Sequence, residues 1–219
     1  MALAATRPAP TLLIVIGGNG AGKSTWCREN RGNLPTNFYN ADWIAAGLGD
    51  WNSPSKQLAA GRIVIRAIAE NLDRGADFGF ERTCSGRSGP AIVRRAKARG
   101  YAVHAVFIGT CDAAINIRRI AGRVANRTGH DVPVEVIRRR WAASMENLIV
   151  TADAIDTITI IDNSGTRSLV VATDGDCVAC PQPGSAPWVC ELAGQINSSR
   201  SPSGTAAMRR ATGNRGDLA

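Results

Sequence analysis

Gly17-Gly18-Asn19-Gly20-Ala21-Gly22-Lys23-Ser24-Thr25 decides how the rest of this chain reads. Its first eight residues fit the pattern G-x-x-x-x-G-K-[ST]. Glycines let the backbone turn so tightly that successive N–H groups converge on one point, a geometry made for phosphate oxygens. The run Leu12 to Ile16 before it is continuously apolar, as a buried parallel strand should be. A helix is expected from about Gly22 to Glu29, and its N-terminus aims a dipole at the same point. Strand, glycine-rich turn and helix in that order form the context the motif requires. Gly17 to Thr25 therefore reads as a cradle for the phosphates of ATP or GTP, with Lys23 reaching the β- and γ-phosphates and Ser24 ligating Mg²⁺.

Outward from the motif, strands and helices alternate. Asn37 to Asn40 reads as a short second strand ending just before Asp42. Ser53-Pro54-Ser55 is a turn able to cap a long helix, on which Leu58, Ile65, Ile68 and Leu72 recur at helical spacing and are expected to face the core. Asp77 to Glu81 is a third strand, Pro90 to Arg99 a helix closed by Gly100, and Tyr101 to Ile108 a strand rich in Val and aromatics. A helix over Ala113 to Asn126 leads to the turn Thr128-Gly129-His130-Asp131. Pro133 then opens a further helix with Val134, Ile137, Trp141, Met145 and Leu148 on one face. Thr157 to Asp162 and Leu169 to Thr173 are the last strands. The alternation predicts an α/β fold of the P-loop NTPase kind, a three-layer sandwich whose mainly parallel sheet carries helices on both faces.

The chain has 219 residues, enough for one such domain with tails, and 44% of them are apolar, enough for a packed core. Residues 1–10 are expected to be a flexible leader, 11–192 the domain, and 193–219 a disordered basic tail with little to bury. Neither a membrane-spanning run nor a signal-peptide pattern is legible, so the expected location is the cytoplasm. On that expectation Cys27, Cys84, Cys111, Cys177, Cys180 and Cys190 read as reduced thiols, although Cys177 and Cys180 form a C-x-x-C. The net charge of +8 suits an acidic partner, be it nucleic acid, membrane headgroups or a phosphorylated small molecule.

In a doubly wound sheet functional groups gather at the carboxyl ends of the strands. Asp42 and Glu81 stand at two such ends. Asp42 can take the proton of an attacking hydroxyl, and Glu81 can hold the acceptor or complete the Mg²⁺ shell. Thr83 and Ser85 add hydroxyls for polar substrate groups. Seven arginines fall between Arg118 and Arg140. Arg123 and Arg127 share a helical face, Arg140 lies on the next helix, and arginines converging from two helices can neutralise a transferred phosphoryl group. Arg118, Arg119 and Arg138 read as a solvated basic face, and His130 either only orders the turn or takes part in the site. Asp162-Asn163-Ser164-Gly165 is either a loop near the nucleobase or a plain turn.

Taken together, GGNGAGKST, NADWIAA, FGFERTCSG, RVANRTGHDVPVEVIRRRW, ASMENL and IIDNSG resemble, in order, the zeta toxin family of P-loop kinases, over roughly Thr11 to Leu192. The resemblance implies a kinase acting on a hydroxyl of a nucleotide-activated amino sugar, the 3′-hydroxyl of UDP-N-acetylglucosamine in the best-known members. It implies Lys23 as the phosphate lysine, Asp42 as the catalytic base, Glu81 and Thr83 in the sugar-nucleotide site, and Arg127 with Arg140 as the phosphate-contacting pair. An antitoxin protein is the implied partner. Thr128 stands where related short members often have glycine, and the chain lacks the large extra segments of some toxins. Two other readings share the loop: a kinase of another metabolite, and a nucleic-acid-binding protein. Against the latter, the basic tail carries no interleaved aromatics and the arginines cluster where a lid belongs.

Overall fold

A computed structural model describes residues 8–49, 53–126, 129, 131–166, 168–172 and 183–200. Six strands form one sheet: β1 (Thr11–Ile16), β2 (Phe38–Asn40), β3 (Phe78–Arg82), β4 (Ala102–Gly109), β5 (Thr157–Asp162) and β6 (Ser168–Ala172). Their order is β2-β3-β1-β4-β5-β6, the first five parallel and β6 antiparallel at the edge. Seven helices of the described residues accompany them: α1 (Lys23–Glu29), α2 (Ala41–Gly47), α3 (Pro54–Arg74), α4 (Ser88–Ala98), α5 (Ala113–Ala125), α6 (Val134–Thr151) and α7 (Pro187–Arg200).

Strand periodicity divides the apolar residues between two faces. Leu12, Ile14 and Ile16 of β1, Val103 and Phe107 of β4, and Ile158 and Ile160 of β5 enter one core. There they meet Ile68 and Leu72 of α3, Val93 of α4, Leu148 of α6, and Leu192 and Ile196 of α7. Val15, Val106, Ile108 and Ile161 point the other way, onto Cys27 of α1. Burial on both faces explains why β1 and β4 read as nearly unbroken apolar runs. A third small cluster, Ile120, Val132 and Ile137, holds α5 against α6.

Three expectations are corrected. Leu58 and Ile65 are 58% and 60% exposed, whereas Ile68 and Leu72 are buried, because only the C-terminal part of α3 meets the sheet's core. Val134 likewise stands exposed in the first turn of α6. The packed domain also continues past Leu192: α7 runs to Arg200 with Ile196 fully buried. Arg200 donates from Nε to the carbonyl of Ala152 (3.1 Å) and from Nη2 to that of Ile155 (2.7 Å). A serine- and arginine-rich composition hid that packing, since a single isoleucine and one arginine do most of the anchoring.

Candidate active site

The turn Gly17 to Gly22 joins β1 to α1, and its glycines are forced by close approaches. A side chain at Gly17 would strike the carbonyl of Ile108 on β4. Gly22 caps α1 with φ of 103°, a left-handed conformation that L side chains adopt only with strain, and a side chain there would meet Asn163. With no capping side chain, the first N–H groups of α1 are left for a ligand. The loop is held from behind. Asn163 donates from Nδ2 to the carbonyl of Ala21 (2.7 Å), and Gly18 lies tight against Asn116 of α5 and the backbone of Trp141 of α6. Trp141 donates to the carbonyl of Thr110 at 3.1 Å, while Ser164 bonds back to Asp162. The segment after β5 is thus a turn that braces the loop.

Neighbouring strand ends assemble the rest. Because β2, β3 and β1 lie side by side, the segments that leave their carboxyl ends converge. Asn40 of β2 is in register with Glu81 of β3, and Glu81 with Val15 of β1. A cavity of about 650 Å³ opens over these ends. Its walls include Asn19, Gly20, Gly22, Lys23, Ser24 and Thr25 of the loop. Asp42, Glu81, Thr83, Arg123 and Arg140 complete the set expected from sequence. Gly17, Gly18 and Ala21 form the turn without lining the cavity, and Ser85 sits one step back, its Oγ 3.2 Å from that of Thr83. Arg127 and His130 lie outside the described residues, as do Cys177 and Cys180. Arg119 is half-buried and engaged, not part of a solvated face.

Lys23 Nζ donates to the carbonyl of Gly18 (3.1 Å) and lies 3.8 Å from Glu81 Oε1. Burial pulls the Lys23 ammonium below its ordinary pKa and pushes the Glu81 carboxyl above its own, and their mutual attraction offsets only part of either effect. Lys23 is therefore poised to gain from a polyanion that repays its desolvation. Ser24 Oγ donates to Glu81 Oε1 at 3.1 Å. This pairing of hydroxyl and carboxylate oxygens beside the cavity is a hard donor set that fits Mg²⁺. Among the described residues no three His, Cys, Asp or Glu side chains form a cage of their own, which leaves phosphates and waters to complete such a shell. Arg140 reaches across from α6, its Nη1 3.2 Å from Asn19 Oδ1 of the loop.

Lining residues that were not among those expected include Arg28, Asn40, Trp43, Gln57 and Arg82. Asn40 carried a legible signal, since asparagine just before a helix that starts Ala-Asp is a favoured N-cap. Arg28, Gln57 and Arg82 had none, being ordinary surface residue types. Among the described residues the cavity thus holds five cations, Lys23, Arg28, Arg82, Arg123 and Arg140, against Asp42 and Glu81. The buried thiol of Cys27 behind it has a pKa raised to about 12 by burial and reads as core, not nucleophile.

A family model described as Zeta toxin matches residues 44–172. That stretch includes Glu81, Thr83, Arg123 and Arg140, while Asp42 and the phosphate loop precede it. An uncharacterised protein of Haemophilus influenzae is 30% identical over 125 residues, 57% of this chain and 88% of its own. Among solved structures, a chain of the AvrRxo1-ORF1–AvrRxo1-ORF2 complex with ATP superposes with a TM-score of 0.62 at 14% identity. The match covers 86% of this chain and 63% of that one, so this chain spans somewhat under two thirds of its length. A chain of the PezAT chromosomal toxin–antitoxin system of Streptococcus pneumoniae superposes with a TM-score of 0.51 at 14% identity, covering 94% and 86%. At such identities the likeness is one of fold.

Proposed function

The chain belongs to the zeta toxin family, and on that premise we propose that it is a kinase moving the γ-phosphoryl group of ATP or GTP to a hydroxyl of a small acceptor. The acceptor class we infer is a nucleotide-activated amino sugar such as UDP-N-acetylglucosamine. One observation carries the reading: the ammonium of Lys23, beyond β1, and the acid Asp42, beyond β2, line a single cavity although β3 lies between those strands.

In the proposed reaction the backbone of Gly17 to Thr25 and the ammonium of Lys23 hold the triphosphate. The acceptor hydroxyl lies between Asp42 and the γ-phosphorus. Asp42 takes the hydroxyl proton as the acceptor oxygen bonds to phosphorus and the bond to the β,γ-bridging oxygen breaks, releasing ADP or GDP. Arg140, placed by its bond to Asn19, and Arg123 face the charge that spreads over the phosphoryl oxygens. Mg²⁺, held through Ser24, would supply charge neutralisation at the β- and γ-phosphates. Arg28 and Arg82 favour an acceptor that is itself anionic, as a sugar nucleotide is. Thr83, Glu81 and Gln57 offer polar contacts to a sugar.

An antitoxin-like protein partner belongs to the same proposal, and its support is the family together with the fold shared with the PezAT chain. No helix of the described residues is long and apolar enough to cross a membrane. Phosphorus NMR of the full chain with ATP, Mg²⁺ and UDP-N-acetylglucosamine tests the acceptor. The expected result is a new phosphomonoester resonance. Formation of ADP and inorganic phosphate alone would exclude this acceptor.

A further inference from the structure

Asn40 is 3% exposed and uses both ends of its amide. Its Oδ1 accepts from the backbone N–H groups of Asp42 (2.8 Å) and Trp43 (3.1 Å), capping α2. Its Nδ2 donates to Glu81 Oε2. Two N–H donors on one side and a carboxylate on the other fix which way the amide faces. Glu81 in turn accepts from Ser24 Oγ and pairs with Lys23 through its other oxygen. A continuous chain of polar contacts therefore runs from the phosphate loop through Glu81 and Asn40 to the first turn of α2, which carries Asp42.

Helix capping alone does not demand asparagine, because Asp, Ser and Thr serve as well or nearly so. Donating toward Glu81 while accepting from two N–H groups excludes an ionised aspartate, and an amide does both with separate donor and acceptor atoms. Apart from this link the helix rests on its packing against α3, with little of it buried. Ala45 is the only buried residue of α2, which spans seven residues. We propose that Asn40 is a positioning residue for phosphoryl transfer, fixing Asp42 relative to Lys23 and Ser24 by tying α2 to Glu81. The proposal rests on the kinase reading, in which Asp42 must approach a reacting hydroxyl within hydrogen-bond distance.

The test is a double-mutant cycle on the full chain: wild type, Asn40→Asp, Glu81→Gln and the double variant. Asn40→Asp keeps the cap but sets two carboxylates against each other. Glu81→Gln supplies an amide that can donate to the new carboxylate, restoring the contact with donor and acceptor exchanged. Steady-state rates are read with ATP and Mg²⁺, both with UDP-N-acetylglucosamine and with water as the only acceptor. Asn40→Asp alone is expected to lower kcat by roughly 10- to 100-fold with KM for ATP within about twofold of wild type. In the Glu81→Gln background the same change is expected to lower kcat by less than about threefold. Equal losses in both backgrounds overturn the proposal, as does a loss confined to KM for ATP. Melting temperatures of the four proteins run the same cycle without turnover, and additive shifts there also overturn it. A wild-type protein that hydrolyses ATP yet leaves UDP-N-acetylglucosamine unphosphorylated sinks the acceptor assignment alone, since the cycle is still read from hydrolysis and melting.

Discussion

Lys23 is only 7% exposed, and its burial sets how nucleotide affinity should vary with pH. Burial lowers its pKa from 10.5, while the carboxylates of Glu81 and Asp42 pull it back up. The protonated ammonium is the form that attracts phosphate. That form is complete below the lowered pKa and is lost as pH rises through it. Affinity for ATP is therefore expected to weaken with rising pH already below 10.5, by up to about tenfold per pH unit for one proton. Lys23→Ala should bind weakly at neutral pH and show no such slope, which calorimetric titration across alkaline pH checks. In the proposed reaction Asp42 serves the chemical step and not nucleotide capture. Asp42→Asn is expected to leave the dissociation constant for ATP unchanged and to reduce kcat on the order of 10²- to 10⁴-fold, the usual worth of a general base. Full activity in that variant would remove Asp42 from the base role. Lys23 was legible because it belongs to a motif with one structural solution, and Asp42 because it stands just past the end of β2. Asn40 was legible only as a helix cap, since its second contact depends on the β2–β3 register.

At the scale of elements, α3 separates pattern from packing. Leu58, Ile65, Ile68 and Leu72 share one helical repeat, yet only the last two are buried. Periodicity reports which face of a helix is apolar, and the sheet's extent decides how many turns of that face it covers. Ile68→Ala is expected to destabilise the protein by about 2 to 5 kcal/mol, the range for truncating a buried isoleucine. Leu58→Ser should stay within about 0.5 kcal/mol of wild type, as exposed positions do. Urea denaturation of both variants checks the contrast, and comparable losses would mean that the first turns of α3 are covered after all. The same logic applies to α5 and α6. Their arginines were visible as a cluster, but the pairing of Ile120 with Val132 and Ile137 is what presents Arg123 and Arg140 to one cavity.

For the whole molecule, α7 closes the face of the sheet that α3, α4 and α6 leave open. A boundary drawn from composition at Leu192 would discard Ile196, Ser199 and the two bonds from Arg200 to the carbonyls of Ala152 and Ile155. A chain ended after Leu192 is expected to be several kcal/mol less stable than one ended after Arg200, counting roughly 1.5 to 3 kcal/mol for the isoleucine and a similar amount for each charged hydrogen bond. Thermal melting of the two truncations decides it, and equal midpoints would show that α7 ends functionally at Leu192. The charge of +8 finds part of its purpose at this scale too, in the five cations gathered around one cavity.

By itself the sequence determined the phosphate loop, the parallel order of strand and helix, and the two acids at strand ends. Those features follow from short-range geometry: which residues can turn, which alternate, and which cap. The tertiary structure alone decided that Asn40 bridges two strands, that Asn163, Asn116 and Trp141 brace the loop from behind, and that Arg28 and Arg82 join the cavity. Each of those contacts joins residues brought together by sheet order or helix packing, and spacing along a chain carries no record of which strands will lie side by side.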